Sequence, residues 1–169
     1  MLPFPQKFDQ NEWCIVISIV ISYAIILFLP KRFPLSITIL IMLFGTTVAR
    51  ISDYLLAISK LDLYTVMDTE KYELFDLITY ILYAPFAYIF VYVYDKYNIK
   101  GYWVLLYLLI CSIGATFYEH LNKVLHVFNY HDWKLIYSQS VYLFVQCIAL
   151  LFFHLIRKLH RNLGTQTNR

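Results

Sequence analysis

Four ionisable residues stand in this chain where an apolar solvent would exclude them, and their spacing defines the chemistry on offer. Arg50 and Asp53 lie three residues apart inside the apolar run that begins at Leu35, which puts both on one helix face. A charge facing hydrocarbon is costly, so such residues turn to a bundle interior or a wet cavity and take a partner. Asp76 opens a third apolar run, where Asp76, Tyr80, Tyr83 and Ala87 share a face. Glu119 closes a fourth, below Cys111 and Ala115 on one stripe, with His120 on the next stripe after Ser112 and Thr116. Gln139 sits near the start of a fifth run, beside Ser138 and Ser140. One positive charge (Arg50) against three negative ones (Asp53, Asp76, Glu119) leaves a net of two negative charges. Uncompensated buried charge is very unfavourable. The group therefore needs protonated carboxyls, a folded-in Lys134 or histidine, a bound cation, or water around Asp76 and Glu119. Arg50 with Asp53 reads first as a structural salt bridge and second as a ligand or proton site.

The elements that position these residues are transmembrane helices. Of the 169 residues, 60% are hydrophobic and 15% charged, against roughly 25% charged in a soluble domain, and the mean hydropathy is +0.60. A helix needs about 20 mostly apolar residues to cross the hydrocarbon core. Five such spans are read at about 13–29, 35–59, 74–94, 102–118 and 138–156. The expected fold is an all-α, single-domain bundle of five spanning helices. Pro85 falls near the middle of the third span; it removes one backbone hydrogen bond and is expected to kink the helix. Along the second span Gly45, Ala49, Asp53 and Ala57 share a stripe of mostly small residues, which lets a neighbouring helix approach closely.

Orientation follows from Lys and Arg in the short loops. With the N-terminus outside and the C-terminus inside, eight such residues fall inside (Lys31, Arg32, Lys96, Lys100, Arg157, Lys158, Arg161, Arg169) and five outside (Lys7, Lys60, Lys71, Lys123, Lys134). Arg50 then lies about 22 Å along its helix from Leu35, in the outer half of the membrane. The polar groups of four helices converge on that side as an outward-facing vestibule, while the inner half is nearly all apolar. Segment 119–137 is expected to be an outer amphipathic helix, either continuing the fourth span or lying in the interface, because Leu121, Val124, Leu125 and Phe128 follow i, i+3, i+4, i+7 spacing. Residues 157–169 form a basic cytoplasmic tail set against anionic lipid. No cationic region precedes the first span and no small-residue cleavage motif follows it, so it is expected to be retained.

Several classes of function have no support in the residues. The net charge of +3 is modest and no basic run suggests nucleic acid. Cys14, Cys111 and Cys147 fit neither a disulfide framework nor a zinc spacing; they read as small buried hydrophobes. His120, His126 and His131 lack the i,i+4 arrangement of a helical metal pair, so no metal or cofactor is expected. No nucleophile elbow, phosphate loop, zinc-protease or dinucleotide motif is present. Sixteen tyrosines and thirteen phenylalanines are read mainly as interfacial aromatic belts. The leading expectation is a non-enzymatic membrane protein that binds a small or lipid-like ligand, or a membrane protein partner. The alternatives are a membrane-embedded enzyme using paired carboxylates on a lipid-like substrate, and a proton- or cation-coupled transporter.

The runs Leu29-Pro-Lys-Arg-Phe-Pro34, Tyr72-Glu-Leu-Phe-Asp76, Leu82-Tyr-Ala-Pro85, Val93-Tyr-Asp-Lys96 and Trp133-Lys-Leu-Ile-Tyr-Ser138 carry a resemblance. From about residue 29 to 150 the chain resembles a family of small multi-pass membrane proteins of endospore-forming Gram-positive bacteria. The resemblance implies five spans, a bacterial plasma membrane, and recurrent polar positions at Arg50, Asp53, Glu73, Asp76 and Glu119. It implies no activity.

Overall fold

The computed structural model describes residues 8–58, 63–66 and 74–167, with Ile58, Asp76 and residues 164–167 described by their backbone alone. Five α-helices follow in order: α1 (Gln10–Phe28), α2 (Leu35–Asp53), α3 (Leu74–Lys96), α4 (Tyr102–Val124) and α5 (Leu135–Thr167). All five are long and apolar enough to cross a membrane. A two-stranded antiparallel ribbon joins β1 (Tyr64–Val66), between α2 and α3, to β2 (Phe128–Tyr130), between α4 and α5.

Prolines mark the first helix boundary. Leu29 is extended, at φ −72° and ψ 135°, as the residue before a proline prefers. Pro34 then begins α2, its carbonyl accepting the Thr38 N–H at 3.0 Å. Between α3 and α4 the chain turns through Asn98 and Gly101, both at positive φ, a region that suits Asn and Gly.

The helix termini differ from the spans read in the sequence. α2 ends at Asp53 and passes into a π-helical turn, Tyr54–Ile58. α4 runs on through Glu119 to Val124. The amphipathic helix expected over 119–137 thus continues the fourth span only as far as Val124; beyond it His126 adopts φ 58°, the Val127 N–H returns to the Asn122 carbonyl at 2.8 Å, and Phe128 enters a strand. The basic residues from 157 onward continue the fifth helix, which runs to Thr167. Cys147 is exposed on α5, while Cys14 and Cys111 are half-buried, so the expectation of three buried thiols fails for Cys147.

α3 is the central helix, packed against both α1 and α2, while α4 pairs with α5. Gly45 sits at a close approach of α2 to α3: a Cβ there would lie 2.6 Å from Ala87 Cβ and from the Tyr83 carbonyl oxygen. Pro85 is fully buried within α3. It leaves the Ile81 carbonyl without its intrahelical donor, and the Tyr23 hydroxyl of α1 donates to that carbonyl at 3.3 Å.

Each end of the bundle has its own core and its own polar closure. One end packs Ile37, Ile41, Tyr88, Val91, Tyr92, Phe153 and Ile156. There Asp95 accepts from Arg32 Nε at 2.5 Å and from Arg157 Nη1. This carboxylate gathers the α1–α2 loop, α3 and α5. The other end packs Ile15, Phe75, Leu82 and Val127 beneath the ribbon.

Candidate functional site

Between the two cores lies a cavity of about 580 Å³, within the roughly 300–1,000 Å³ common for small-molecule sites. Its long walls are apolar, built from residues such as Phe44, Val48, Phe86, Phe90, Val145 and Ala149. Its polar groups include Asp53, Tyr64, Tyr83, Glu119, Tyr130, Ser138 and Tyr142. The ribbon carries two of them, Tyr64 and Tyr130.

Glu119 is 7% exposed and accepts three hydroxyl hydrogen bonds. Tyr130 and Ser138 donate to Oε1, the latter at 2.6 Å, and Tyr142 donates to Oε2 at 2.5 Å. The donors come from β2 and from the i,i+4 pair Ser138 and Tyr142 on α5. Trp133 Nε1 donates to Ser138 Oγ at 2.8 Å, which orients that hydroxyl towards Glu119. Asp53, also 7% exposed, accepts the Tyr64 hydroxyl on Oδ1 at 2.5 Å. Both carboxylates thus have partners, as buried charge requires.

The ribbon is fastened to the bundle through its backbone as well. The Leu63 N–H donates to the Leu56 carbonyl of the π-helical turn at 3.0 Å. The N–H groups of His131, Asp132 and Trp133 converge on the Leu63 carbonyl at 3.0–3.2 Å. Burial, followed by the charge of Asp53, pushes the Tyr64 phenol well above the usual tyrosine range. Burial and the hydrogen bond to Glu119 raise the Tyr130 phenol. Both hydroxyls therefore stay protonated donors at neutral pH.

Arg50 and Tyr80 form a layer behind Asp53 and are not part of the cavity wall. Arg50 Nη1 donates to the Tyr80 hydroxyl at 3.2 Å, and the guanidinium lies 5.3 Å from that ring centroid. Arg50 and Glu119 both act electrostatically on Asp53. Tyr83 feels the charge of both carboxylates and faces the cavity.

Of the residues singled out in the sequence, Asp53, Tyr83 and Glu119 meet in the cavity, and Arg50 with Tyr80 supports them. Gln139 turns to α4 instead, accepting from Thr116 Oγ1 at 2.8 Å and donating to Ser112 Oγ at 2.7 Å. It braces α4 on α5. His120 is exposed on α4, since neighbouring residues on a helix point to different faces. The Asp76 side chain and Glu73 lie outside the described residues. Among the described residues, no group of three or more His, Cys, Asp or Glu side chains is arranged to hold a metal ion.

Tyr64, Tyr130, Trp133, Ser138 and Tyr142 were not among the site residues expected from the sequence. Ser138 and Tyr142 carry a readable signal, two hydroxyls four residues apart on one face. The ribbon tyrosines carry none, because their role depends on pairing across a long stretch of chain.

Comparison with protein families, with curated proteins and with solved structures gives no match to this chain.

Proposed function

We propose that this is an integral membrane protein that binds a small amphiphile, holding its apolar tail between the helices and its polar head beneath the ribbon. The observation that carries this reading is the cavity, about 580 Å³ of mainly apolar wall with two hydrogen-bonded carboxylates among its polar groups. A cavity shaped only by imperfect packing would have no reason to hold Asp53 and Glu119 in its wall. The Lys and Arg count supports an orientation with the ribbon end outside, so the polar head would face the outer leaflet. The bacterial plasma membrane is the location that the family resemblance implies.

The test uses decanol as a simple single-tailed probe and native mass spectrometry of the purified protein. The wild type is expected to retain decanol. Ala115→Phe and Val145→Phe, on the cavity wall, are expected to abolish retention while leaving the unfolding temperature within a few degrees. Equal retention by wild type and both variants would reject the cavity as the binding site.

A further inference from the structure

We propose that the head of the bound amphiphile is a single positive charge, an ammonium group. This rests on the amphiphile-binding reading and adds the chemistry of the head. Among the described residues lining the cavity, the charged side chains are Asp53 and Glu119; none is Lys, Arg or His. An anionic head would meet two carboxylates and no cation.

The two carboxylates are not equivalent. Asp53 has Arg50 within electrostatic reach. The hydrogen bonds to Glu119 come from the hydroxyls of Tyr130, Ser138 and Tyr142. Hydroxyl donors satisfy lone pairs and leave the formal charge in place. Lys123, one helical turn from Glu119, is exposed, with its ammonium 4.5 Å from the Tyr130 ring centroid, and it is not part of the wall. A carboxylate offers about four acceptor sites, and three of those on Glu119 are taken. One remains for an N–H⁺ donor.

Two further features fit a cation. Tyr83 lines the cavity in the field of both carboxylates. A phenol oxygen in the wall can accept an N–H from an ammonium group. The polar groups also stand among aromatic rings: Tyr64 lies 5.9 Å from both Phe128 and Trp133, centroid to centroid. Ring faces within about 6 Å of a cation attract it, most strongly where water is excluded.

The experiment compares decylamine, decanol and decanoate as probes of equal tail length, each titrated into the full-length protein in nanodiscs of zwitterionic lipid at neutral pH. Wild type is expected to bind decylamine at least about tenfold more tightly than decanol, the size of one charge-assisted contact, and decanoate most weakly. Glu119→Gln is expected to remove that tenfold preference while decanol binding persists, which also reports that the variant is folded. Tyr83→Phe is expected to weaken decylamine more than decanol. Equal wild-type binding of decylamine and decanol overturns the proposal whatever the variants do, and so does an amine preference undiminished in folded Glu119→Gln. Binding of none of the three probes would instead reject the amphiphile-binding reading on which it rests.

Discussion

Tyr64 and Tyr130 face each other directly across the two-stranded ribbon, and each donates its hydroxyl to a different carboxylate, Tyr64 to Asp53 and Tyr130 to Glu119. Residues opposite one another in an antiparallel pair project to the same side. One cross-strand pair therefore fastens the ribbon to α2 and to α4 at once, over the cavity. The fastening uses the two carboxylates of the proposed ligand site, so under that proposal occupancy and closure would be coupled.

Removing either hydroxyl should loosen that closure. Tyr64→Phe and Tyr130→Phe each delete a hydrogen bond to a charged acceptor, a loss of about 1.5–3 kcal/mol. The double variant should lose less than the sum of the two, because the ribbon is already released by the first change. Thermal unfolding of the four proteins in the cycle measures this, and strict additivity would mean that the two latches act independently.

The same two phenols give a dependence on alkaline pH. Their folded pKa values lie above the unfolded tyrosine value of 10.0. Between the unfolded and the folded pKa the unfolded chain releases protons that the folded one keeps, so stability falls as pH rises. Their contribution is complete below about pH 10 and declines above it. The Tyr64→Phe/Tyr130→Phe protein should show a shallower fall in unfolding temperature than wild type between about pH 9 and pH 11.

Two glycines should respond in opposite directions. Gly45→Ala places a methyl against Ala87 and the Tyr83 carbonyl. That overpacking should cost about 1–3 kcal/mol and push α2 away from α3. Gly114, inside α4, has nothing within 4 Å of the position its Cβ would take. Gly114→Ala should therefore stabilise the helix by up to about 1 kcal/mol. Equal effects of the two substitutions would contradict the close approach of α2 to α3 at Gly45.

At the opposite end, Asp95→Asn should weaken two ion pairs while keeping the side-chain shape. Both arginines are substantially exposed, at 38% for Arg32 and 59% for Arg157. The screened cost should be no more than about 1–2 kcal/mol. It should shrink further in high salt. An unfolding-temperature difference that is insensitive to salt would mean that the Asp95 side chain acts through hydrogen-bond geometry and not through charge, since the backbone carbonyl contact with Arg32 Nη2 at 2.8 Å is kept in the variant.

The five helices were legible because apolar length alone specifies them. Their ends were not, since α4 and α5 continue through polar stretches that hydropathy assigns to loops. Asp53 and Glu119 were legible as charges in apolar surroundings. Arg50 beside Asp53 suggested a closed pair, yet Asp53 takes its short hydrogen bond from Tyr64. Three-residue strands have too little sequence to show a period of two, so the ribbon was invisible. With it went Tyr64 and Tyr130, which local composition assigns to an aromatic belt.

Pro85 and Tyr23 carry one last consequence. Packing between apolar helices is nearly indifferent to rotation about the helix axis, because one aliphatic ridge replaces another at little cost. A hydroxyl of α1 aimed at the carbonyl that proline exposes on α3 is not indifferent. A turn of α1 by one residue swings Tyr23 away by roughly 100° and strands a backbone acceptor in a setting without water. The proline gap thus works as a keyway: it fixes the azimuth of the first helix and its register along α3.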